Sequence, residues 1–345
     1  MTLIHGGQLN QIAKQYNIPV SDWLDLSTGI APLSYPIPKE IPLAIWQQLP
    51  QLSEKLIIAA QDYYRCQQLV VTNGSQAVIS ALPQLYRLHQ PKGEHVYLPE
   101  RGYKEHAYAW QQAGFQLMYY QDELPPLAEL TPHSVLVVIN PNNPTGKFFT
   151  RQELLSYRRQ MQKLDGLLIV DEAFIDVMPD ESLASPITDE HTLALRSFGK
   201  FFGLAGLRIG FLIADSTWCD SFKRCQSPWQ VNGPAQFIAE QALTDIKWQA
   251  QQKQQLQHLR QQQQIVLEKV FNGHLSDEIK GTDLFLTLRF KQPSDAPKLY
   301  HLLCQQGLYC RLTDEQDSLR FGIATSEQIP RLTQSCQKAK KLLLD

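Results

Sequence analysis

The chain has 345 residues, with 32 Lys and Arg against 34 Asp and Glu, and a formal net charge of −2. That length predicts one large domain with a smaller companion, and 43% hydrophobic residues predict a packed globular chain rather than a disordered one. The near-neutral balance gives no electrostatic case for nucleic acid or for an anionic membrane surface.

The longest apolar runs, such as SVLVVI (residues 134–139) and GLLIV (166–170), are strand-length. They fall short of the ~20 residues a membrane span requires. The opening MTLIHGGQLNQIAK has no basic segment followed by an apolar core, so it does not read as a signal peptide. The six cysteines (Cys66, Cys219, Cys225, Cys304, Cys310 and Cys336) form no CxxC pair. Free thiols in a reducing cytoplasm are expected, with neither a disulfide frame nor a metal site.

Residues 1–45 are irregular and proline-rich, as in GIAPLSYPIPKEIP, and read as an arm. From Leu69 the pattern changes. QLVVTNGSQAVISALPQLY predicts a short strand, a turn at Asn73–Ser75 and a helix. HVYLPE, FQLMYY, SVLVVIN and GLLIVDE are further strands, and TLALRSFGK and LRIGFLIAD add two more. Strands alternating with helices predict an α/β fold, a mostly parallel sheet with helices on both faces. After a break at SPWQVNGPAQ, the glutamine-rich QQKQQLQHLRQQQQIVLEKVF carries Leu256, Leu259, Ile265 and Val266 at roughly helical spacing. It reads as a helix whose glutamines form a solvated face. DLFLTLRF, LYCRLT and SLRFGIA then alternate like strands of a small α+β domain. The expected organisation is an N-terminal arm and part of the small domain over 1–45, a large cofactor-binding domain over 46–235, and a linking helix with the small C-terminal domain over 236–345.

The chemistry concentrates in LRSFGKFFGLAGLRIGF, which sets Ser197, Lys200 and Arg208 among apolar and small residues. Lys200 follows Gly199 but precedes Phe201, so it is no phosphate-loop lysine, and GLAGLRIG does not fit GxGxxG. A lysine in a poorly solvated site has a lowered pKa and can form an imine with a carbonyl. Pyridoxal phosphate supplies such a carbonyl. It also demands a carboxylate for its ring nitrogen, a donor for its ring hydroxyl and a phosphate cup. Asp171 ends the strand GLLIVDE, at the edge where open α/β sheets place ligands. Asn143 stands in the turn of NPNNPTG. Gly74, Ser75 and Gln76 open a helix after a strand, offering backbone amides to an anion, and Ser197 and Arg208 add a hydroxyl and a cation. Singly, each has an ordinary structural reading as a cap, a loop residue or a surface charge.

Together, TNGSQA, NPNNPTG, DEAF and SFGKFFGLAGLRIG resemble fold type I pyridoxal-phosphate enzymes of the histidinol-phosphate aminotransferase branch, over nearly the whole chain. HGG at His5–Gly7, WLDLSTGIAP, RGYKEHAYAW, SPWQVNGPA and SLRFGIA resemble, more narrowly, the threonine-phosphate decarboxylases of the aerobic cobalamin pathway. The resemblance implies a large mixed sheet flanked by helices and a smaller C-terminal α+β domain. It implies a lysine imine at Lys200, a pyridine partner in Asp171, a ring-hydroxyl donor in Asn143 and a stacking ring in Tyr103. Gly74, Ser75, Gln76, Ser197 and Arg208 take the phosphate cup. Arg320 would grip the substrate carboxylate, and His5, Gly6, Gly7, Thr28 and Gly29 would lie near the substrate's own phosphate. The implied reaction is decarboxylation of L-threonine O-3-phosphate to 1-amino-2-propanol phosphate by a homodimer. Transamination of histidinol phosphate or another amino acid is the alternative. Three positions depart from the pattern: Phe174 replaces a tyrosine of the wider branch, Leu49 stands where relatives carry the tyrosine of RYP, and Ala31 where the subgroup often has asparagine.

Overall fold

The computed structural model describes residues 6–345 apart from 186, 272, 274 and 277. The chain forms two compact units. The smaller comprises the segment ending at Ser34, Pro144–Gly146 and Ala250–Asp345; the larger comprises Tyr35–Asn143 and Lys147–Gln249.

The smaller unit begins with helix α1 (Leu9–Tyr16) and the two-residue strand β1 (Leu24–Asp25). The segment belongs to the small unit, and it contributes to that unit's core as well as forming irregular chain. Leu24 and Leu26 are buried in the small-unit core, and the Leu26 N–H donates to Tyr309 O at 2.7 Å.

In the larger unit, chain order runs α2 (Leu43–Gln47), α3 (Glu54–Tyr64), β2 (Leu69–Thr72), α4 (Ser75–His89), β3 (His95–Pro99), α5 (Lys104–Gln112), β4 (Gln116–Tyr120) and β5 (Val135–Ile139). It continues through α6 (Arg151–Lys163), β6 (Leu167–Asp171), β7 (Thr192–Ser197), α7 (Phe198–Phe201), β8 (Gly210–Ile213), α8 (Ser216–Cys225) and α9 (Gly233–Thr244). The seven strands make one sheet in the order β2-β8-β7-β6-β5-β3-β4. β8 alone runs opposite to the other six strands. β5 (VLVVI) and β6 (LLIVD) are buried at every position, as strands covered on both faces must be. Val135, Val137, Leu167 and Ile169 pack with α4, α5 and α8 residues, while Leu136, Val138, Leu168 and Val170 pack with α6 residues.

The 26-residue helix α10 (Ile246–Phe271) leads back into the smaller unit, followed by β9 (Glu278–Thr282), β10 (Phe285–Arg289), α11 (Asp295–Cys304), β11 (Leu308–Tyr309), β12 (Arg311–Leu312), β13 (Ser318–Gly322) and α12 (Ile329–Leu344). β12-β13-β10-β9 form an antiparallel sheet, and β1 pairs in parallel with β11. The units divide at Ser34 and inside α10, not at residues 45 and 235. Tyr35 belongs with the larger unit because its ring packs edge-on to Phe202 and Trp248 and its N–H donates to Phe202 O at 2.9 Å. Helix α9 belongs there because it packs on α3.

The glutamines of α10 correct the expectation of a wholly solvated polar face. Gln249, Gln252 and Gln263 are buried. Gln252 Nε2 donates to Leu33 O at 2.7 Å, and Gln249 Nε2 donates to Ala242 O and Leu243 O. Gln263 Nε2 donates to Gly322 O at 2.8 Å, and its Oε1 accepts from the Ala324 N–H at 2.7 Å. Ile265, expected on the apolar stripe, is exposed, and Leu267 takes the buried position. Replacing Gln263 by Leu strands a buried carbonyl and a buried amide. We expect it to lower unfolding free energy by about 2–4 kcal/mol in urea titration. Gln261→Ala, at an exposed position of the same helix, should stay within about 0.5 kcal/mol of the parent.

Candidate active site

Parallel strands β5, β6 and β7 deliver side chains at their C-terminal ends, where the loops leave room for a ligand. The nine positions Gly74, Ser75, Gln76, Tyr103, Asn143, Asp171, Ser197, Lys200 and Arg208 line one cavity of the larger unit. That cavity encloses about 730 Å3 of empty space including its mouth.

Asp171, the last residue of β6, is 4% exposed. A carboxylate so buried must be compensated. Its Oδ2 accepts from His106 Nε2 at 2.9 Å and its Oδ1 from the Ala173 N–H at 3.1 Å. His106 lies one turn into α5, itself buried, and its Nδ1 has no hydrogen-bond partner among the described residues. The carboxylate therefore fixes the tautomer, with the proton on Nε2. Sequence reasoning missed His106. RGYKEHAYAW drew attention to Tyr103, whereas the histidine's partner stands 65 positions away.

The start of α4 follows β2 through a glycine in the left-handed region, Gly74 at φ +71°. No side chain caps this helix, so its first amides stay open to an anion. A Cβ on Gly74 would lie 2.8 Å from Arg208 Nη2, and one on Gly210 would lie 2.6 Å from the Ser75 nitrogen. Both glycines thus clear space around the helix start. Arg208 itself has a left-handed backbone, φ +56°, and its Nη1 donates to Ala205 O at 3.2 Å.

Lys200 sits in α7 directly after β7, with Nζ 5.6 Å from the centroid of the buried Phe174 ring. Within this segment the backbone comes closest at Gly199, whose Cβ would fall 2.5 Å from Ala205 Cα. A Cβ on Gly206 would meet nothing within 4 Å, while Gly203 makes a left-handed turn at φ +68°. Phe198, Phe201 and Phe202 are fully buried and stack among themselves and on Trp248. They buttress α7 from the core, and the aromatic rings lining the cavity are those of Phe174 and Tyr103.

Asn143 lines the cavity, and the nearby Asn140 and Asn142 bond to backbone of other segments. Asn140 bridges to Phe149, accepting its N–H at 2.9 Å and donating to its carbonyl at 2.8 Å. Asn142 Nδ2 donates to Arg101 O at 2.6 Å. Behind the cavity the alternation of strand side chains sends Glu172 and Arg196 away from the ligand side. Arg196 Nη1 donates to Glu172 Oε2 at 2.9 Å, and its Nη2 pairs with Asp176. Arg196 also lies over the Tyr64 ring. Burial pushes the Glu172 carboxyl above the usual carboxylate range, opposed by Arg196 and by bonds from Ser182 and the Leu183 N–H. The sequence analysis assigned these residues no role.

The residues expected to meet the substrate lie in the smaller unit. The Gly7 N–H donates to Ser27 Oγ at 2.9 Å, a Cβ on Gly6 would lie 2.2 Å from Ser27 O, and one on Gly7 would touch Thr28 at 3.4 Å. Gly29 follows Thr28 in the same loop. Arg320, buried in β13, donates from Nη2 to Ser27 O at 2.6 Å. Burial and the neighbouring Arg311, its cross-strand partner, push the Arg320 guanidinium down to about 9. It still carries its proton at neutral pH, so a carboxylate arriving there meets a dehydrated cation. His5 lies outside the described residues. Ala31 is buried and Leu49 is exposed.

The donor set of the cavity fits pyridoxal phosphate. A buried carboxylate suits a protonated pyridine nitrogen, an uncapped helix start with an arginine suits a phosphate, and the Asn143 amide and the Lys200 amine suit the ring oxygen and the aldehyde. A model of class I and II aminotransferases matches residues 46–335. A threonine-phosphate decarboxylase of Pseudomonas aeruginosa is 39% identical over 94% of each chain, and one from Sinorhizobium sp is 36% identical over 93% of each. Among solved structures, histidinol-phosphate aminotransferase from Sinorhizobium meliloti, in complex with pyridoxal-5'-phosphate, superposes with a TM-score of 0.82 at 17% identity, covering 99% of this chain and 96% of that one.

Replacing Arg196 by Met would leave the Glu172 and Asp176 carboxyls buried without their cation, a loss of about 3–5 kcal/mol at neutral pH. Because burial raises the folded Glu172 pKa, protonation favours the fold, and its contribution fades as pH rises through that folded value. Without Arg196 the carboxyl rises further. The deficit relative to the parent protein should therefore shrink as pH falls towards about 4, read by urea unfolding at each pH.

Proposed function

The chain belongs to the class I and II aminotransferase family, and we propose that it decarboxylates L-threonine O-3-phosphate to (R)-1-amino-2-propanol O-phosphate with pyridoxal phosphate as its cofactor. What carries the substrate is the match to two threonine-phosphate decarboxylases along 93–94% of the chain. The product would supply the amino-alcohol arm of cobalamin.

The bound cofactor supplies an aldehyde carbon that condenses with amines and an aromatic ring that accepts an electron pair. The protein does the rest by placement. Asp171, locked by His106 and the Ala173 N–H, keeps a proton on the ring nitrogen, which strengthens the ring's electron demand. Asn143 donates to the ring oxygen; Phe174 carries no hydroxyl to share that task. Ser75 and Gln76 amides, Ser197 and Arg208 take the phosphate around the space kept clear at Gly74. Tyr103 covers the ring face. Lys200 would hold the aldehyde end of the cofactor and, with substrate bound, would keep a proton at Nζ for the substrate α-carbon.

Which bond breaks at that carbon would be set by how the protein's residues orient the substrate. An aminotransferase presents the C–H bond, a decarboxylase the C–carboxylate bond. Rotation about one bond separates the outcomes, and anchoring of the substrate's two anions sets it. Arg320 takes the carboxylate. The Gly6–Gly7 backbone with Thr28 and Gly29, and His5, take the phosphate.

The reading extends to a homodimer in the cytoplasm. Exposed Leu43, Trp46 and Leu49 on and after α2 form an apolar surface beside a second cavity lined by Phe237, and a partner copy would cover it. All six cysteines are free thiols, as a reducing compartment favours, and no described helix is long and apolar enough to cross a membrane.

The holoenzyme given L-threonine phosphate and no 2-oxo acid should release one carbon dioxide per substrate consumed, and adding 2-oxoglutarate should not change the rate. Lys200→Ala should lower turnover by at least roughly 10²-fold and abolish the visible band of the lysine-bound cofactor. Turnover that requires the oxo acid would make the protein an aminotransferase.

A further inference from the structure

Three side chains at the cofactor cavity form a hydrogen-bonded series with a fixed direction. Tyr103 Oη donates to Gln76 Oε1 at 3.1 Å, and Gln76 Nε2 donates to Glu105 Oε2 at 3.0 Å. Gln76 is the second residue of α4, whose start forms the phosphate cup. Tyr103 immediately precedes α5, and Glu105 lies in its first turn. One side chain from α4 is thus gripped twice by the segment that carries the stacking ring.

The direction is set at Glu105. An ionised carboxylate only accepts, so the amide end facing it must be the NH2 group. The other end, a carbonyl, then faces Tyr103. A carbonyl also only accepts, so the phenol must be the donor. Both polar ends of the Gln76 side chain are engaged by this series, which leaves the phosphate to its backbone N–H.

We propose that Gln76 and Glu105 are positioning residues that hold the Tyr103 ring in place in the wall of the cofactor cavity and commit its phenolic proton to Gln76. Tyr103 then offers the cofactor an aromatic face rather than a hydroxyl. This rests on the cofactor reading above and adds to it a reason for the polar pair Gln76 and Glu105, which that chemistry does not itself require. Tying the ring to the helix that holds the phosphate also makes the two grips on the cofactor a single unit.

The test uses the loaded protein and two readouts besides turnover: the visible circular dichroism of the bound cofactor and its rate of release. Gln76→Leu removes both bonds and Tyr103→Phe removes one. Each should speed release about three- to tenfold and alter the dichroic band. The two together should be no worse than Gln76→Leu alone, as for partners in one network. Gln76→Glu sets two carboxylates against each other and should release fastest. Adding Glu105→Gln to it restores acceptor and donor in the reverse order, and should return release to within about twofold of the parent. Unchanged release in Gln76→Leu, multiplying effects of Gln76→Leu and Tyr103→Phe, or no rescue by the exchange would each overturn the proposal while leaving the cofactor reading intact. A protein that takes up no pyridoxal phosphate would overturn both.

Discussion

A carboxylate with 4% of its surface exposed stands at the end of β6, and much of the larger unit is arranged to keep it there. Burial of a charge is costly unless it is paired and hydrogen-bonded. His106 and the Ala173 N–H meet part of that need at Asp171. A protonated pyridine bound in the cavity would add a further partner for that charge. The same cavity sets Asp171 together with the open start of α4, Asn143, Lys200 and Arg208.

The strand ends carry that arrangement because alternate side chains leave a strand on opposite faces. On adjacent strands, Asp171 and Ser197 line the cavity, while Glu172, which follows β6, and Arg196, which precedes Ser197 in β7, pair behind it at 2.9 Å. One ion pair in the protein interior therefore fixes the relative height of the two strand ends on which the ligand residues stand. A charge pair of this kind adds little net stability compared with apolar packing, but it specifies one arrangement.

Much of this was legible in the sequence because it is local. Continuous apolar runs such as VLVVI and LLIVD announce strands covered on both faces. Each cavity residue sits within a few positions of such a strand end, so NPNNPTG, DEAF and SFGK could be placed by reading outward from the strands. What stayed hidden depends on partners distant in the chain. His106 gains its meaning from Asp171, and Gln263 from Gly322 and Ala324. A buried glutamine and a solvated one look the same in a run of glutamines. Leu24 and Leu26 were obscured by the prolines around a strand of two residues, whose partner β11 begins at Leu308.

The reaction itself turns on which bond at the substrate α-carbon is broken, a choice that the shared fold leaves open. The most direct measurement follows hydrogen at that carbon. L-threonine phosphate would be turned over by the holoenzyme in deuterium oxide and the product examined by NMR and mass spectrometry. The account predicts an amine that retains the original α-hydrogen and gains one solvent deuteron in place of the carboxylate. Exchange of the α-hydrogen with the carboxylate still attached, or its loss to give a 2-oxo acid, would contradict it.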